Sequence, residues 1–222
     1  GDGFTLLVTE DGKVYASGDN GNGQFGLGNY RSYSNFTALP LRDIIAVEAG
    51  TGHALALSES GNAFAAGLND SNQVSSNSDT RINSFVTVNV SNVEKIIASE
   101  KSSVAINSSG SMYVWGDNDC GQLQNKDTED VTRPVVAAKN VVSAAVGATH
   151  SLVLKNDGMI YAVGEGTNGE LFCYSGSSVT KPDRIMSDVT KFSAGSDHAA
   201  AISDGKLYIW GNNDCGQLGL GD

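Results

Sequence analysis

The sequence predicts an all-β fold, a β-propeller of four-stranded blades, on two observations. The chain repeats itself every 48 or 49 residues, and each repeat carries a pattern of short strands. The segments GDGFTLLV, GTGHALAL, SEKSSVAI, GATHSLVL and GSDHAAAI align with one another. They place Phe4, His53, Ser102, His150 and His198 at one marker position, in steps of 49, 49, 48 and 48. A second marker is a glycine after an aromatic or small residue: Gly18, Gly67, Gly116, Gly164 and Gly211. A third is a turn pair, Asp11-Gly12, Ser60-Gly61, Ser109-Gly110, Asp157-Gly158 and Asp204-Gly205.

The second repeat illustrates the strands in order. Ile44 to Ala49 is a short apolar run that Gly50-Thr51-Gly52 ends, and His53 to Leu57 follows directly. Glu59-Ser60-Gly61 then turns the chain into Asn62 to Ala66, and Phe85 to Val90 alternates apolar and polar as a fourth strand. Small residues dominate the second strand, as in HALAL from 53 and HAAAI from 198, which suits strands crowded around a central channel. No stretch sustains a helical period with caps at both ends. The 27 glycines recur at fixed phase and therefore mark turns, not disorder.

Several propeller types have repeats of this length, and motifs separate them. The chain holds neither the Gly-Gly pair of kelch repeats nor the Trp-Asp pair of WD repeats. Instead it carries YVWGDNDCGQL over 113–123 and YIWGNNDCGQLGLG over 208–221, with a weaker copy VYASGDNGNGQFGLG over 14–28. These motifs resemble the repeat of the regulator of chromosome condensation family, and the resemblance covers essentially the whole chain. Copies two and four are degenerate: AGLNDSNQV over 66–74 lacks the tryptophan and later glycines, and GEGTNGEL over 164–171 keeps only part. The resemblance implies a closed ring of seven blades, of which this chain supplies about four and a half. The phases fall near 1–49, 50–98, 99–146, 147–194 and a partial 195–222, as a piece of a longer propeller. Such a piece has open strand edges, through which it is expected to self-associate.

Composition bounds the partners. Fourteen basic residues against 25 acidic ones give a net charge of −11 with no basic run, which opposes direct binding to nucleic acid. No apolar stretch is long enough to span a membrane as a helix. Cys120, Cys173 and Cys215 show no zinc spacing and no plausible pairing between separated blades, so free, partly buried thiols are expected. His53, His150 and His198 would suit zinc by residue type. They share one phase of the repeat, however, so each is carried to a different blade, and packing is the expected role.

Two further motif matches dissolve in the repeat. Gly21 to Gly26 fits the G-x-G-x-x-G spacing, yet no helix pattern follows to hold a pyrophosphate. Asp19 to Gly23 resembles a calcium loop but has glycine at the third ligand and Tyr30 at the closing position. No nucleophile–base pair can be nominated, so no catalytic, cofactor or metal residue is assigned.

What remains is a non-enzymatic scaffold for a protein partner whose identity the sequence does not give. Function on such a frame sits in the loops that depart from the repeat. The candidate partner-binding residues are Tyr30, Arg31, Tyr33 and Phe36 in NYRSYSNF, and Phe172 and Tyr174 in LFCY, which replaces the usual LGLG. Arg81, Arg133 and Lys181 share a phase ahead of the outer strand and read as part of the repeat. The resemblance also implies guanine-nucleotide exchange on a small GTPase, the activity of the family's founding member on Ran. That activity uses an inserted wedge, and no interval here accommodates one. A third reading is inhibition of a secreted enzyme, since a bacterial β-lactamase inhibitor shares this propeller type. Serine, asparagine and threonine richness with little lysine leans the same way, toward a bacterial secreted or cell-surface protein.

Overall fold

The computed structural model describes residues 1–125, 127–172 and 178–221. The described residues form eighteen strands and no helix, arranged as five antiparallel sheets. They fall into two compact units. The first holds Gly1–Asp117 with Asp130–Val136, and the second holds Asn118–Glu129 with Ala137–Asp222.

In the first unit, β1 (Phe4–Val8), β2 (Val14–Gly18) and β3 (Tyr33–Ala38) make a three-stranded sheet. The second sheet is β4 (Ile44–Ala49), β5 (His53–Ser58), β6 (Ala63–Leu68) and β7 (Arg81–Thr87). The third is β8 (Val93–Ala98), β9 (Ser102–Asn107), β10 (Met112–Gly116) and β11 (Val131–Ala138), whose last two residues belong to the second unit. The second unit adds β12 (Val141–Val146), β13 (His150–Lys155), β14 (Ile160–Gly164) and β15 (Val179–Met186). Its other sheet is β16 (Val189–Ala194), β17 (His198–Ser203) and β18 (Lys206–Gly211). Neighbours in sequence are neighbours in each sheet, which is the meander of a propeller blade. The first sheet starts at the second strand of the pattern, and the fifth stops at the third.

One register recurs five times. The marker residue at the start of the second strand pairs with the second-marker glycine: Phe4 with Gly18, His53 with Gly67, Ser102 with Gly116, His150 with Gly164 and His198 with Gly211. These glycines have φ between 103° and 117°. A Cβ there would lie 2.2–2.6 Å from the carbonyl oxygen just before the marker. Only glycine permits that approach, and it lets the backbone swing out of the hairpin into the next loop.

The first strand of each four-stranded sheet, and of the fifth, carries a bulge at its second residue, with register shifts at Ile44/Ala46, Val93/Lys95, Val141/Ser143 and Val189/Lys191. The bulge turns that residue outward, which accounts for the exposure of Ile45 and Val142. Within each unit, apolar residues of successive sheets fill the space between them. In the first unit Val14, Ala16, Phe25 and Ile44 share a cluster; in the second, Leu152, Ile160, Ala201 and Trp210 do.

The outer strand corrects the sequence reading. Phe85 to Val90 was expected as the strand, but β7 runs from Arg81 to Thr87. Val88 and Val90 are buried past its end: Val88 N still donates to Ala63 O at 2.9 Å, and Val90 N folds back on Val88 O at 2.8 Å. The alternation thus outruns the strand. Arg81, Arg133 and Lys181 accordingly lie within β7, β11 and β15 and not ahead of them. Pro134 and Pro182 also sit in these outer strands, where an absent N–H costs no ladder bond on the free edge.

The glycine constraint is directly testable within one hairpin. Gly164→Ala meets Thr149 O at 2.2 Å, whereas Gly158→Ala, at φ 78°, meets nothing within 4 Å. Urea unfolding is expected to show a loss on the order of 3 kcal/mol or more for Gly164→Ala and about 1 kcal/mol for Gly158→Ala. Equal losses would refute the carbonyl approach as the cause.

Candidate functional site

In four of the five copies the loop after the third strand is built by two side chains, which are buried in the first three. Two residues past the marker glycine stands Asn20, Asn69, Asn118 or Asn213, whose side-chain carbonyl accepts the N–H of Phe25, Val74, Leu123 or Leu218 at 2.9–3.0 Å. In the fourth copy Gly166 takes this position and has no side chain to offer. Six residues past the marker stands Gln24, Gln73, Gln122, Glu170 or Gln217. Its side-chain oxygen accepts the N–H two residues back at 2.9–3.1 Å. The residue before it takes positive φ in all five copies. Asn72, at φ 62°, does so in the second copy, where the others have glycine, so that degenerate copy keeps the same turn.

These loops couple one sheet to the next. The Gln73 main-chain carbonyl accepts both Trp115 Nε1 and Ser103 Oγ at 2.8 Å, and Glu170 O accepts Trp210 Nε1 at 2.7 Å. Gln122 O accepts Ser151 Oγ at 2.7 Å. A buried indole N–H needs a partner, and the turn supplies it.

The histidines occupy three sheets, one each in β5, β13 and β17. Each ring lies over the glycine three residues earlier: a Cβ on Gly50, Gly147 or Gly195 would fall 2.3–2.6 Å from the imidazole of His53, His150 or His198. Phe4 covers Gly1 in the same way. In the third repeat the ring is lost at Ser102, and Ser99 replaces the glycine. His53 Nε2 meets Ser103 Oγ at 3.0 Å, while His150 is buried with Ala199, not a hydroxyl, at the corresponding position. Burial pushes the His53 pKa down to about 4 against the weaker pull of the Asp70 carboxylate. Burial also lowers His150, opposed by Glu170 and Asp197.

The loop residues nominated from sequence separate by environment. Tyr30 is 45% exposed, and the Arg81 guanidinium lies 4.8 Å from its ring centre while donating to Gly21 O at 3.1 Å. Leu27 bridges to Ser84 and Gly28 N donates to Asn83 O at 2.7 Å, so the loop of the first sheet rides on the outer strand of the second. Between them runs an open groove of about 450 Å³, lined by Tyr30, Asp79, Arg81, Asn83, Ser84 and Val86. Arg31 is exposed, with its guanidinium 5.6 Å from the Tyr33 ring centre. Tyr33 is half-buried, 6.1 Å from Phe25, and its hydroxyl accepts from Asn29 Nδ2. Phe36 is 54% exposed on β3.

Phe172 is exposed at φ 64°, edge-on to Trp210 at 5.2 Å and to Tyr208 at 6.5 Å. Tyr174 and Cys173 lie outside the described residues. Cys120 is half-buried, its Sγ 3.8 Å from Glu165 Oε2, and Cys215 is an exposed free thiol. Sequence reasoning did not join Arg81 to Tyr30, because the two are a full repeat apart and no local motif connects them.

The family model described as the RCC1-like domain matches residues 1–222. Human WBSCR16 is 24% identical, with a TM-score of 0.86 over 100% of this chain and 63% of its own. Prp20p from Saccharomyces cerevisiae, described with its binding to Gsp1p and histones, is 25% identical, with a TM-score of 0.86 over 100% of this chain and 59% of its own. Yeast RCC1 (Prp20) with Kap60 bound is 24% identical, with a TM-score of 0.85 over 99% of this chain and 56% of its own. The chain thus spans less than two thirds of these structures' length. No curated protein sequence matches it. Among the described residues no helix is long and apolar enough to cross a membrane.

The buried imidazoles set a pH dependence. The folded-state pKa of His53 lies below its ordinary 6.5, so the unfolded chain takes up the proton first as pH falls. Stability is full above pH 6.5 and drops between 6.5 and about 4, by on the order of 3 kcal/mol for this group, with His150 adding in the same direction. Denaturant midpoints across that window are expected to flatten in His53→Phe, the aromatic of the first repeat. An unchanged slope in that variant would refute the assignment.

Proposed function

The chain belongs to the RCC1-like domain family, and from that premise we propose that it is a non-enzymatic scaffold that binds a protein partner through loops and outer strands. The observation that carries this reading is the Tyr30–Arg81 pair beside its open groove. Tyrosine and arginine are the residue types that anchor interfaces, and here both are spent at the surface on a rigid frame of paired strands. The two pre-orient one another, which lowers the entropy lost on binding. Arg31 and Phe36 extend the same exposed stretch, while Tyr33 supports it from the core. Phe172, with Tyr174, is the second proposed contact.

The test uses a photocrosslinking residue at Phe36 to capture the partner, followed by titration of the purified pair. Arg81→Ala and Tyr30→Ala are each expected to weaken binding by roughly ten-fold or more, about 1.4 kcal/mol, with the melting temperature of the chain unchanged. Binding that ignores both substitutions removes this surface from the proposal.

A second reading is guanine-nucleotide exchange, favoured by the 25% identity to Prp20p, which is described as binding Gsp1p. Release of a fluorescent GDP analogue from a Ran-type GTPase is expected to be unaffected by this chain. Acceleration would replace the scaffold reading with the exchange reading.

A further inference from the structure

Two segments of this acidic chain carry no acid. Residues 20–42 and 80–93 hold three arginines, Arg31, Arg42 and Arg81, and no lysine, aspartate or glutamate; all 25 acidic residues lie elsewhere. The fold brings these two segments together, because the first sheet's loop rides on β7 through the Leu27–Ser84 bridge and the Gly28 N to Asn83 O bond. The seat is close. A Cβ on Gly23 would fall 2.7 Å from Asn83 Cα, and one on Gly26 would fall 2.3 Å from the Phe85 ring. The groove beside Tyr30 therefore has two fixed walls, both supplied by the first unit.

Arg81 stands in that groove with most of its capacity unused. A guanidinium fork has several N–H donors; here one is given to Gly21 O at 3.1 Å, and the Tyr30 ring covers one face. Among the described residues no carboxylate forms an ion pair with Arg81. The acid of the lining, Asp79, is engaged with its own turn instead. Its carboxylate accepts Asn77 Nδ2 at 3.5 Å, its N–H donates to Asn77 Oδ1 at 3.1 Å, and its main-chain carbonyl accepts Asn69 Nδ2 at 2.8 Å. A guanidinium stacked on an aromatic ring and anchored at one nitrogen is already oriented, and its free edge matches a carboxylate bidentately. Asn77, Thr80, Asn83 and Ser84 line the rest of the groove with amides and hydroxyls, which suit the main-chain groups of an extended peptide.

We propose that the groove between the first sheet's loop and β7 takes an acidic segment of the protein partner, with one carboxylate seated on the free edge of Arg81. This rests on the scaffold reading above and adds the chemistry of the occupant. The net charge of −11 selects the class of anion. A nucleic acid would carry its phosphates across the acidic remainder of the surface, whereas a short peptide segment meets only the two acid-free segments. Arginine in place of lysine at all three basic positions of those segments agrees with recognition of a planar, two-oxygen group.

A library of random short peptides displayed on phage and panned on the whole chain supplies the probe, and the selected peptides are then synthesised and titrated. They are expected to carry aspartate or glutamate, and replacing that residue by its amide is expected to weaken binding roughly ten-fold or more. Arg81→Lys keeps the charge but not the fork and is expected to weaken binding by a similar factor, with little further loss when both changes are combined. Circular dichroism checks the fold of each variant. Peptides that lose affinity in Tyr30→Ala but ignore both Arg81→Lys and Arg81→Ala overturn the carboxylate assignment and leave the surface standing. Peptides that ignore Tyr30→Ala and Arg81→Ala alike overturn the surface as well. Selection of basic or uncharged peptides, or of none, overturns the proposal, and so does displacement of the peptide by equimolar inorganic phosphate, which would make this a phosphate site.

Discussion

The close approach of one carbonyl oxygen to one glycine organises every blade of this protein. A φ above 100° at Gly18, Gly67, Gly116, Gly164 and Gly211 ends the third strand in register with the marker residue of the second. A side chain at that point would drive the carbonyl away and slip the hairpin. In a sheet a slip of one residue would exchange its two faces, so the alternation of side chains between those faces depends on this contact. The loop beyond it starts from the same point each time, which is why Asn20 and its counterparts reach equivalent N–H groups across unequal sequences.

From that fixed start the loop makes its second contribution, the joining of sheets by main-chain carbonyls. Gln73 and Glu170 are held by their own side chains, so their carbonyls are aimed before the neighbouring tryptophan arrives. The indole donates to main chain, a partner no substitution removes, so the side chains at these turns are free to vary. The acceptor survives the change from glutamine to glutamate at 170, because both side chains present an oxygen to the N–H two residues back. The two tryptophans, buried at 1% and 6%, combine this bond with large apolar area.

Much of this was legible in the sequence, because a repeat shows each constraint several times. The all-β class, the blades, the hairpin turns and the family resemblance all follow from residues at fixed phase. The loop of the second copy, lacking its glycines, was harder to read, but Asn72 adopts the left-handed conformation and preserves the turn. The outer strands were misplaced for a physical reason. They are exposed on one edge, so Arg81, Asn83 and Ser84 dilute the apolar alternation at the true start, while buried Val88 and Val90 continue it past the true end. The geometry of the proposed contact surface was less legible than the fold. Tyr30 and Phe36 were recognisable by residue type, whereas the partner that orients Tyr30 comes from the next sheet.

The same logic separates structural from functional departures from the repeat. Loss of the ring at Ser102 is matched by loss of the glycine at Ser99, so that departure is compensated within its own turn and carries no functional message. Phe172 is different. It takes the left-handed position that Gly26 and Gly219 occupy in other copies, a conformation costly for a bulky side chain, and remains 40% exposed after packing against Trp210. Replacement by glycine would relieve the backbone and remove only a partly buried ring. A partner that covered the ring, as proposed above, would offset that backbone cost beyond what packing on Trp210 and Tyr208 supplies.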